Sequence, residues 1–379
     1  MLAVMNRTGL QDASTALSSV EAYCPAFRFL GKCILLGMMA ALSGCYYLQA
    51  ARGQMAVMAR REPISKVLAQ PDTDAVLRKR LEYVQAVRAF ASGELALPDN
   101  RSYTAYADIK RRYVSWNVFA APEFSVEPKQ WCFPIAGCVV YRGYFSEAAA
   151  QRYALRLRAR GYDAAVSGVP AYSTLGHFDD PVLSSMFGWS DAQLAATLFH
   201  ELAHQVAYVS DDSAFNESFA TVVEEAGLER WLTTQNRRNE WQAWQVQRQR
   251  SMQFRALLLN ARERLRAWYG AGADREVLLA GKQQRLGELK FEYSQLRQRW
   301  QGYAGYDRWF DRALSNADFV AIATYQRCVP SFENLLVSAD GDLPRFYDAV
   351  KKMARRDKPT RQRFCQSGGM EPGKRGTGD

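Results

Sequence analysis

Two of the chain's three histidines stand four positions apart, as His200-Glu201-Leu202-Ala203-His204, within a stretch whose apolar spacing is helical. Residues four apart on a helix lie one turn apart on one face, so both imidazoles reach a single ion. Glu201 stands about 100° round the helix from His200, where it can face a water held by that ion. The feature demands a helix presenting both rings, a second element bringing a third ligand, and an open position for water. Zinc suits that donor set, and Glu201 suits the role of general base.

The local sequence meets these demands. Ser190 is an N-cap with Asp191 in the first turn, and the helix is expected to run to about Val209. Asp211 to Ser213 breaks it, and a second helix is expected from Asn216 to Leu232. A short turn folds that helix back and aims Glu217, at its start, at the open side of the two histidines. The competing role for Glu217 is a helix-start carboxylate favoured by the dipole. Glu224, seven residues on, shares its face and suits an acceptor for an imidazole N–H.

The rest of the 379 residues predicts one large domain or two small ones. Asp72 to Phe90 has helical spacing. Arg112 to Val126 and Cys138 to Phe145 read as strands or a hairpin, followed by a helix from Ser146 to Arg160 and a strand over Ala164 to Val169. Together they predict a small mixed sheet with one helix. Tyr172 to Met186 reads as a loop. Gln242 to Trp268 and Asp274 to Gln301 predict an antiparallel helical pair over the catalytic core, without a sustained heptad. The formal net charge of +10 describes a basic surface. Basic runs such as Lys351-Lys352 with Arg355-Arg356 come without a nucleic-acid-binding module, so no nucleic acid is expected as partner.

Before the folded part, Arg28 and Lys32 precede the apolar run Cys33 to Leu42, which is too short to span a bilayer as a mature helix. It ends in Leu42-Ser43-Gly44-Cys45. That order resembles a bacterial lipobox, which implies cleavage before Cys45, a lipid anchor on its sulfur and, with Tyr46 following, an outer-membrane address facing the periplasm. The long stretch before Arg28 suggests a start downstream of Met1. Of seven cysteines, Cys24 and Cys33 would leave with the signal and Cys45 would take lipid. The remaining four, Cys132, Cys138, Cys328 and Cys365, suit an oxidising compartment. They allow three connectivities; local spacing favours Cys132 with Cys138 and Cys328 with Cys365. A four-cysteine zinc site is the weaker alternative, since the spacings are not those of knuckles or ribbons.

HELAHQ followed by NESFATVVE resembles the glutamate-zincin peptidases, including large aminopeptidases with HELAHQ and NEGFA-type motifs. The gap between the second histidine and the third ligand is shorter here. The Gly-x-Met-Glu-Asn segment of those enzymes has only a displaced echo, Gly368-Gly369-Met370-Glu371-Pro372, after the site. The chain is more closely similar to a family of predicted aminopeptidases that are lipoproteins of Gram-negative bacteria. The shared features are the lipobox, a Trp-Cys…Gly-Cys stretch, the YSTLG segment from Tyr172 with its Phe-x-Asp-Pro continuation, the histidine and glutamate motifs, and a region from Tyr325 to Phe332. The resemblance implies an α+β fold with a mostly helical zincin-like catalytic region and a small mixed sheet before it. The expected divisions are a signal at 1–44, a helical and sheet part at 45–186, the catalytic region at 187–353 and a polar tail at 354–379.

The resemblance also implies a zinc peptidase acting on peptides: His200, His204 and Glu217 as ligands, Glu201 as base, and Tyr172 or Tyr325 as oxyanion donor, each also readable as a core tyrosine. His177 is a candidate to donate to the oxyanion or to cap the cleft, and Asp179 with Asp180 are candidates to hold a substrate α-ammonium or to form a turn before Pro181. Two alternatives stay open: a zinc endopeptidase, and a non-catalytic peptide-binding envelope lipoprotein.

Overall fold

The computed structural model describes residues 46–133, 137–210, 212–320 and 328–368. The chain divides into two compact units at Met55, and residues 46–55 of the first are helical. Cys45 and the apolar run before it lie outside the described residues, as does Tyr325. No described helix is long and apolar enough to cross a membrane.

The second unit is a mostly helical α+β fold with small sheets. Strands β1 (Arg61–Pro63), β2 (Ala105–Ala107) and β8 (Val182–Leu183) form a mixed sheet in the order β1-β2-β8. Strand β2 runs antiparallel to β1 and parallel to β8. Strands β3 (Ser115–Pro122), β6 (Arg142–Tyr144) and β7 (Tyr162–Val169) form an antiparallel sheet, β6-β3-β7, and β4 (Trp131–Phe133) with β5 (Gly137–Val139) forms a hairpin. The segment from Arg112 to Pro170 is therefore wholly antiparallel. The parallel pairing comes from β8, a two-residue strand too short to show a period of its own.

Helix α1 (Ile64–Ala69) leads into α2 (Ala75–Gly93), which opens on Asp74, whose side chain accepts from the backbone of Val76 and Leu77. Helix α3 (Glu147–Arg158) is capped by Ser146 and packs on the β3 and β7 sheet. Then come α4 (Asp191–Val206) and α5 (Ser213–Thr234), the pair that carries the histidine and glutamate motifs. Leu194, Leu198, Phe199 and Leu202 of α4 meet Phe215, Phe219 and Leu228 of α5 and Leu81, Val84 and Val87 of α2 in one buried core.

Helices α6 (Arg238–Tyr269) and α7 (Arg275–Arg299) form the long polar pair. Only the beginning of α6, at Trp241 and Trp244, touches the main core. The rest builds a second core with Phe254, Leu258, Leu289, Tyr293 and Phe319. The pair touches both neighbours: the buried Lys282 amine of α7 meets Asp163 of the antiparallel sheet at 2.7 Å, and Arg248 of α6 pairs with Glu225 of α5. Its apolar residues serve a core of their own, which a strand-poor polar sequence does not announce.

Helices α8 (Val329–Ser338), α9 (Leu343–Ala354) and α10 (Lys358–Ser367) close the chain. Cys328 is joined to Cys365 and Cys132 to Cys138. The polar segment after Ala354 thus carries a helix, fixed by the Cys365 link and by Phe364 against Phe332.

The close seating of α5 on α4 rests on Gly227. A Cβ there would meet Leu95 Cδ1 at 2.7 Å and Phe199 Cδ2 at 2.9 Å, both on fully buried side chains. Gly227→Ala should therefore lower stability by about 1–3 kcal/mol despite the better helix propensity of alanine, as an overpacked core does. Thermal unfolding checks this; an unchanged or raised midpoint would show that α5 has room to spare.

Candidate metal centre

The turn between α4 and α5 is made by one buried amide. Asn216 Oδ1 accepts from the Val209 N–H and its Nδ2 donates to the Val209 carbonyl, each at 2.8 Å. This double bond takes Val209 out of α4, which ends at Val206 instead of running on. Asp212 accepts from Phe215 N–H and starts α5 at Ser213, earlier than the apolar spacing suggests. Ser218, also buried, accepts from the backbone of Cys328. The residues on either side of Glu217 therefore fix the turn and the neighbouring α8.

With α5 folded back, Glu217 faces both imidazoles. Its Oε2 lies 3.3 Å from His200 Nε2 and its Oε1 3.8 Å from His204 Nε2. One ligand atom from each of His200, His204 and Glu217 lies within 4.8 Å of the others. Ligand atoms on tetrahedral arms of about 2.0–2.1 Å stand roughly 3.3–3.4 Å apart, so small movements close this set around an ion of zinc's size. The ring planes of the two histidines cross at 86°, as two ligands approaching one point from different directions do.

The charges favour a cation. Burial alone would make His200 less basic, but its bonds to Glu217 and Glu224 raise it to about 10. Burial drives His204 down to about 4, with His200 adding to the effect, so its ring is neutral as a ligand must be. Burial would raise Glu217, but the hydrogen bond from His200 and the nearby His204 hold it below the usual carboxylate range. Burial raises Glu201 to about 7; His200 opposes the rise and the carboxylates of Glu217, Asp180 and Glu224 add to it. Three carboxylates around two imidazoles, in a place short of water, form a donor set that a divalent cation balances.

Glu224 Oε2 sits 2.8 Å from His200 Nδ1. That contact fixes the tautomer and leaves Nε2 for the metal. His204 Nδ1 has no such support and is buried without a hydrogen-bond partner among the described residues. Along the same helix faces, a cavity of about 1000 Å³ opens beside Glu224, walled by Gln193, Thr221, Trp244, Arg248 and Glu333.

The other candidate residues are placed differently. Tyr172 is half-buried, edge-on to Phe145, with burial raising its hydroxyl well above the ordinary range. His177 sits exposed at the tip of the loop, its N–H donating to the Thr174 carbonyl. Asp180 is buried and its oxygens accept from Thr174 N–H, Thr174 Oγ1 and Ser173 Oγ, so it pins the loop instead of facing an ammonium ion. Asp179 pairs with Arg101 at 3.2 Å.

Two further residues join the site that no spacing in the sequence marks. Tyr103 is buried, with its hydroxyl beside Ser173. Gln205, the last residue of HELAHQ, bonds Asn100 and Ser102 and docks Tyr103's loop on α4. The pattern around Tyr103, Arg-Ser-Tyr-Thr, carries no signal that could have found it.

A family model described as Putative aminopeptidase matches residues 45–365. The chain belongs to this family. No curated protein and no solved structure matches the chain.

If the three ligands act together, purified protein should hold about one zinc per chain, and His200→Ala or His204→Ala should lose it. Glu217→Ala should weaken binding by roughly tenfold or more, and Glu224→Ala by about 10–100-fold through the freed His200 ring. Metal titration with a competing chelator measures both. Wild-type affinity in Glu217→Ala would place the third ligand elsewhere.

Proposed function

We propose that the protein is a zinc-dependent aminopeptidase of the cell envelope. The observation that carries this reading is the convergence of His200, His204 and Glu217, with Glu201 beside them and free of any other hydrogen bond among the described residues. Membership of an aminopeptidase family supports peptide bonds as the target.

A zinc ion held by the three ligands would polarise the scissile carbonyl and acidify a water. Glu201 takes the proton of the attacking water and passes it to the leaving amine nitrogen. A base poised near neutrality suits that double task, because it must both accept and release the proton. Glu224 keeps the His200 ring turned so that Nε2 faces the ion. The anchoring of the protein to the outer membrane through lipid on Cys45 is part of the same proposal, motivated by the Leu-Ser-Gly-Cys sequence and by two disulfides that suit the periplasm.

Glu201→Gln keeps shape and metal but removes the base, so peptide hydrolysis should fall by about 10²–10⁴-fold at normal zinc content. A protein that only binds peptides would keep its full biological activity in that variant. Free peptides should be trimmed one residue at a time, and the same peptides acetylated at the amino terminus should resist. Equal cleavage of both at internal bonds would make the protein an endopeptidase. Fatty-acid labelling should mark the wild type and not Cys45→Ser; label on the variant would end the lipoprotein reading.

A further inference from the structure

The polar helix pair holds a cleft that shares no residue with the metal centre. It has a volume of about 410 Å³ and lies between the middle of α6 and the end of α7. Gln249, Arg250 and Gln253 of α6 form one wall, and Arg299, Trp300 and Gln301 form the other. No carboxylate lines it. The sequence gives the reason: no Asp or Glu occurs from Trp241 to Arg262 or from Tyr293 to Tyr306, the two stretches that meet here.

Many cations of the pair are spent on ion pairs. Arg248 bonds Glu225 and Glu333, Arg264 bonds Glu292, and Arg297 bonds Asp307. Arg250 and Arg299 have no carboxylate partner among the described residues. The dipole of α7 accounts for Arg299, which stands in its last turn. It does not account for Arg250, which stands in the middle of α6.

Two aromatic rings set the donors of the cleft in place. The Arg250 guanidinium lies over the Tyr303 ring, 4.2 Å from its centroid. A stacked guanidinium is held by its face, and its N–H groups stay available in the plane. Gln253 is one turn further along the same face of α6. Trp300 Nε1 donates to Gln253 Oε1 at 2.6 Å. An indole N–H only donates, so the amide turns its oxygen to the ring and its NH2 away from it. Trp300 is itself buried in the second core, edge-on to Tyr303 with 6.2 Å between ring centroids. Both supports therefore belong to one packed wall.

We propose that this cleft binds an oxyanion, a carboxylate or a phosphate group. The Arg250 fork takes two oxygens side by side, the Gln253 amide donates to the group from one turn along, and Arg299 adds a second positive charge. The volume is that of a site for a small ligand. A free anion and the carboxylate end of a peptide both carry this chemistry. The site stands whether or not the protein is a peptidase, because none of its residues belongs to the metal centre.

The test is equilibrium dialysis of the full-length protein at low ionic strength, where such contacts are least screened. The probes are inorganic phosphate, acetate, acetylated triglycine and the amide of acetylated triglycine. At least one of the first three should bind saturably, at about one per chain. Binding of phosphate or acetate would point to a free anion, and binding of the peptide without its amide to a peptide terminus. Arg250→Lys keeps the charge but loses the fork, and should weaken binding about tenfold or more. Gln253→Leu should weaken it several-fold. His200→Ala should bind as the wild type does. Wild-type affinity in Arg250→Lys would reduce the cleft to a basic surface and overturn the proposal. Loss of binding in His200→Ala would place the anion at the metal centre and overturn it too. So would the absence of saturable binding, or equal binding of the peptide and its amide with neither anion bound.

Discussion

Everything at the metal centre depends on how closely α4 and α5 lie against each other. The two histidines come from one helix, but the third ligand must cross from its neighbour, and a carboxylate on one short side chain reaches only a few ångström. Gly227 lets the far ends of the helices approach, with Phe199 and Leu95 filling the space a side chain would take. Asn216 fixes the near ends by bonding both backbone groups of Val209. The glutamate is placed by these two contacts, at opposite ends of α5, more than by any contact of its own. A helix pair joined by a loose turn could slide or rotate by part of a turn, and Glu217 would then miss one imidazole.

The same closeness creates the electrostatic demand that a cation answers. Glu201, Glu217 and Glu224 are brought round two imidazoles in a partly buried place, where carboxylates are costly unless something positive stands among them. Without an ion the demand falls on His200, which bonds two carboxylates at once and becomes strongly basic. His204, with no carboxylate at its Nδ1, is pushed the other way. Two histidines one helical turn apart thus differ sharply, because His200 bonds both Glu217 and Glu224 while burial dominates at His204.

The convergence of His200, His204 and Glu217, with Glu224 behind His200, was legible in the sequence because its geometry is local. His200, Glu201 and His204 share one helix, and Glu217 and Glu224 share the next, so helical period alone ranks their faces. The mostly helical α+β class was legible for the same reason, from long stretches with one period. The mixed pairing of β1, β2 and β8 was not, since two- and three-residue strands have no visible alternation and draw their pairing from distant segments, Arg61 opposite Ala107 and Tyr106 opposite Val182. Nor was the second core: Phe254, Tyr293 and Phe319 are scattered among Arg and Gln, and only the folded pair of α6 and α7 gathers them. Asp180 was legible as a residue of interest but not as a buried loop anchor, because the bonds it accepts from Ser173 and Thr174 exist only once the loop has closed.

The cluster of His200, His204 and Glu217 and the loops nearby are held by different parts of the fold. The ligands sit on the α4 and α5 pair, whose rigidity comes from core packing. The surroundings of the base come from two loops, 98–103 and 173–180, tied to each other by the Tyr103 N–H and to α2 by Arg88. These loops contribute little apolar area, and buried polar groups hold their shape. Such networks lose much when one member is removed, because each partner left behind is buried and unpaired. The helix pair and the two loops thus form two groups, one held by packing and the other by hydrogen bonds. The YSTLG segment belongs to the second group. Its Thr174 and Ser173 spend their hydroxyls on Asp180, and the Asp180 carbonyl in turn holds the Tyr103 N–H, so the segment fixes the neighbouring loop through a chain of buried hydrogen bonds.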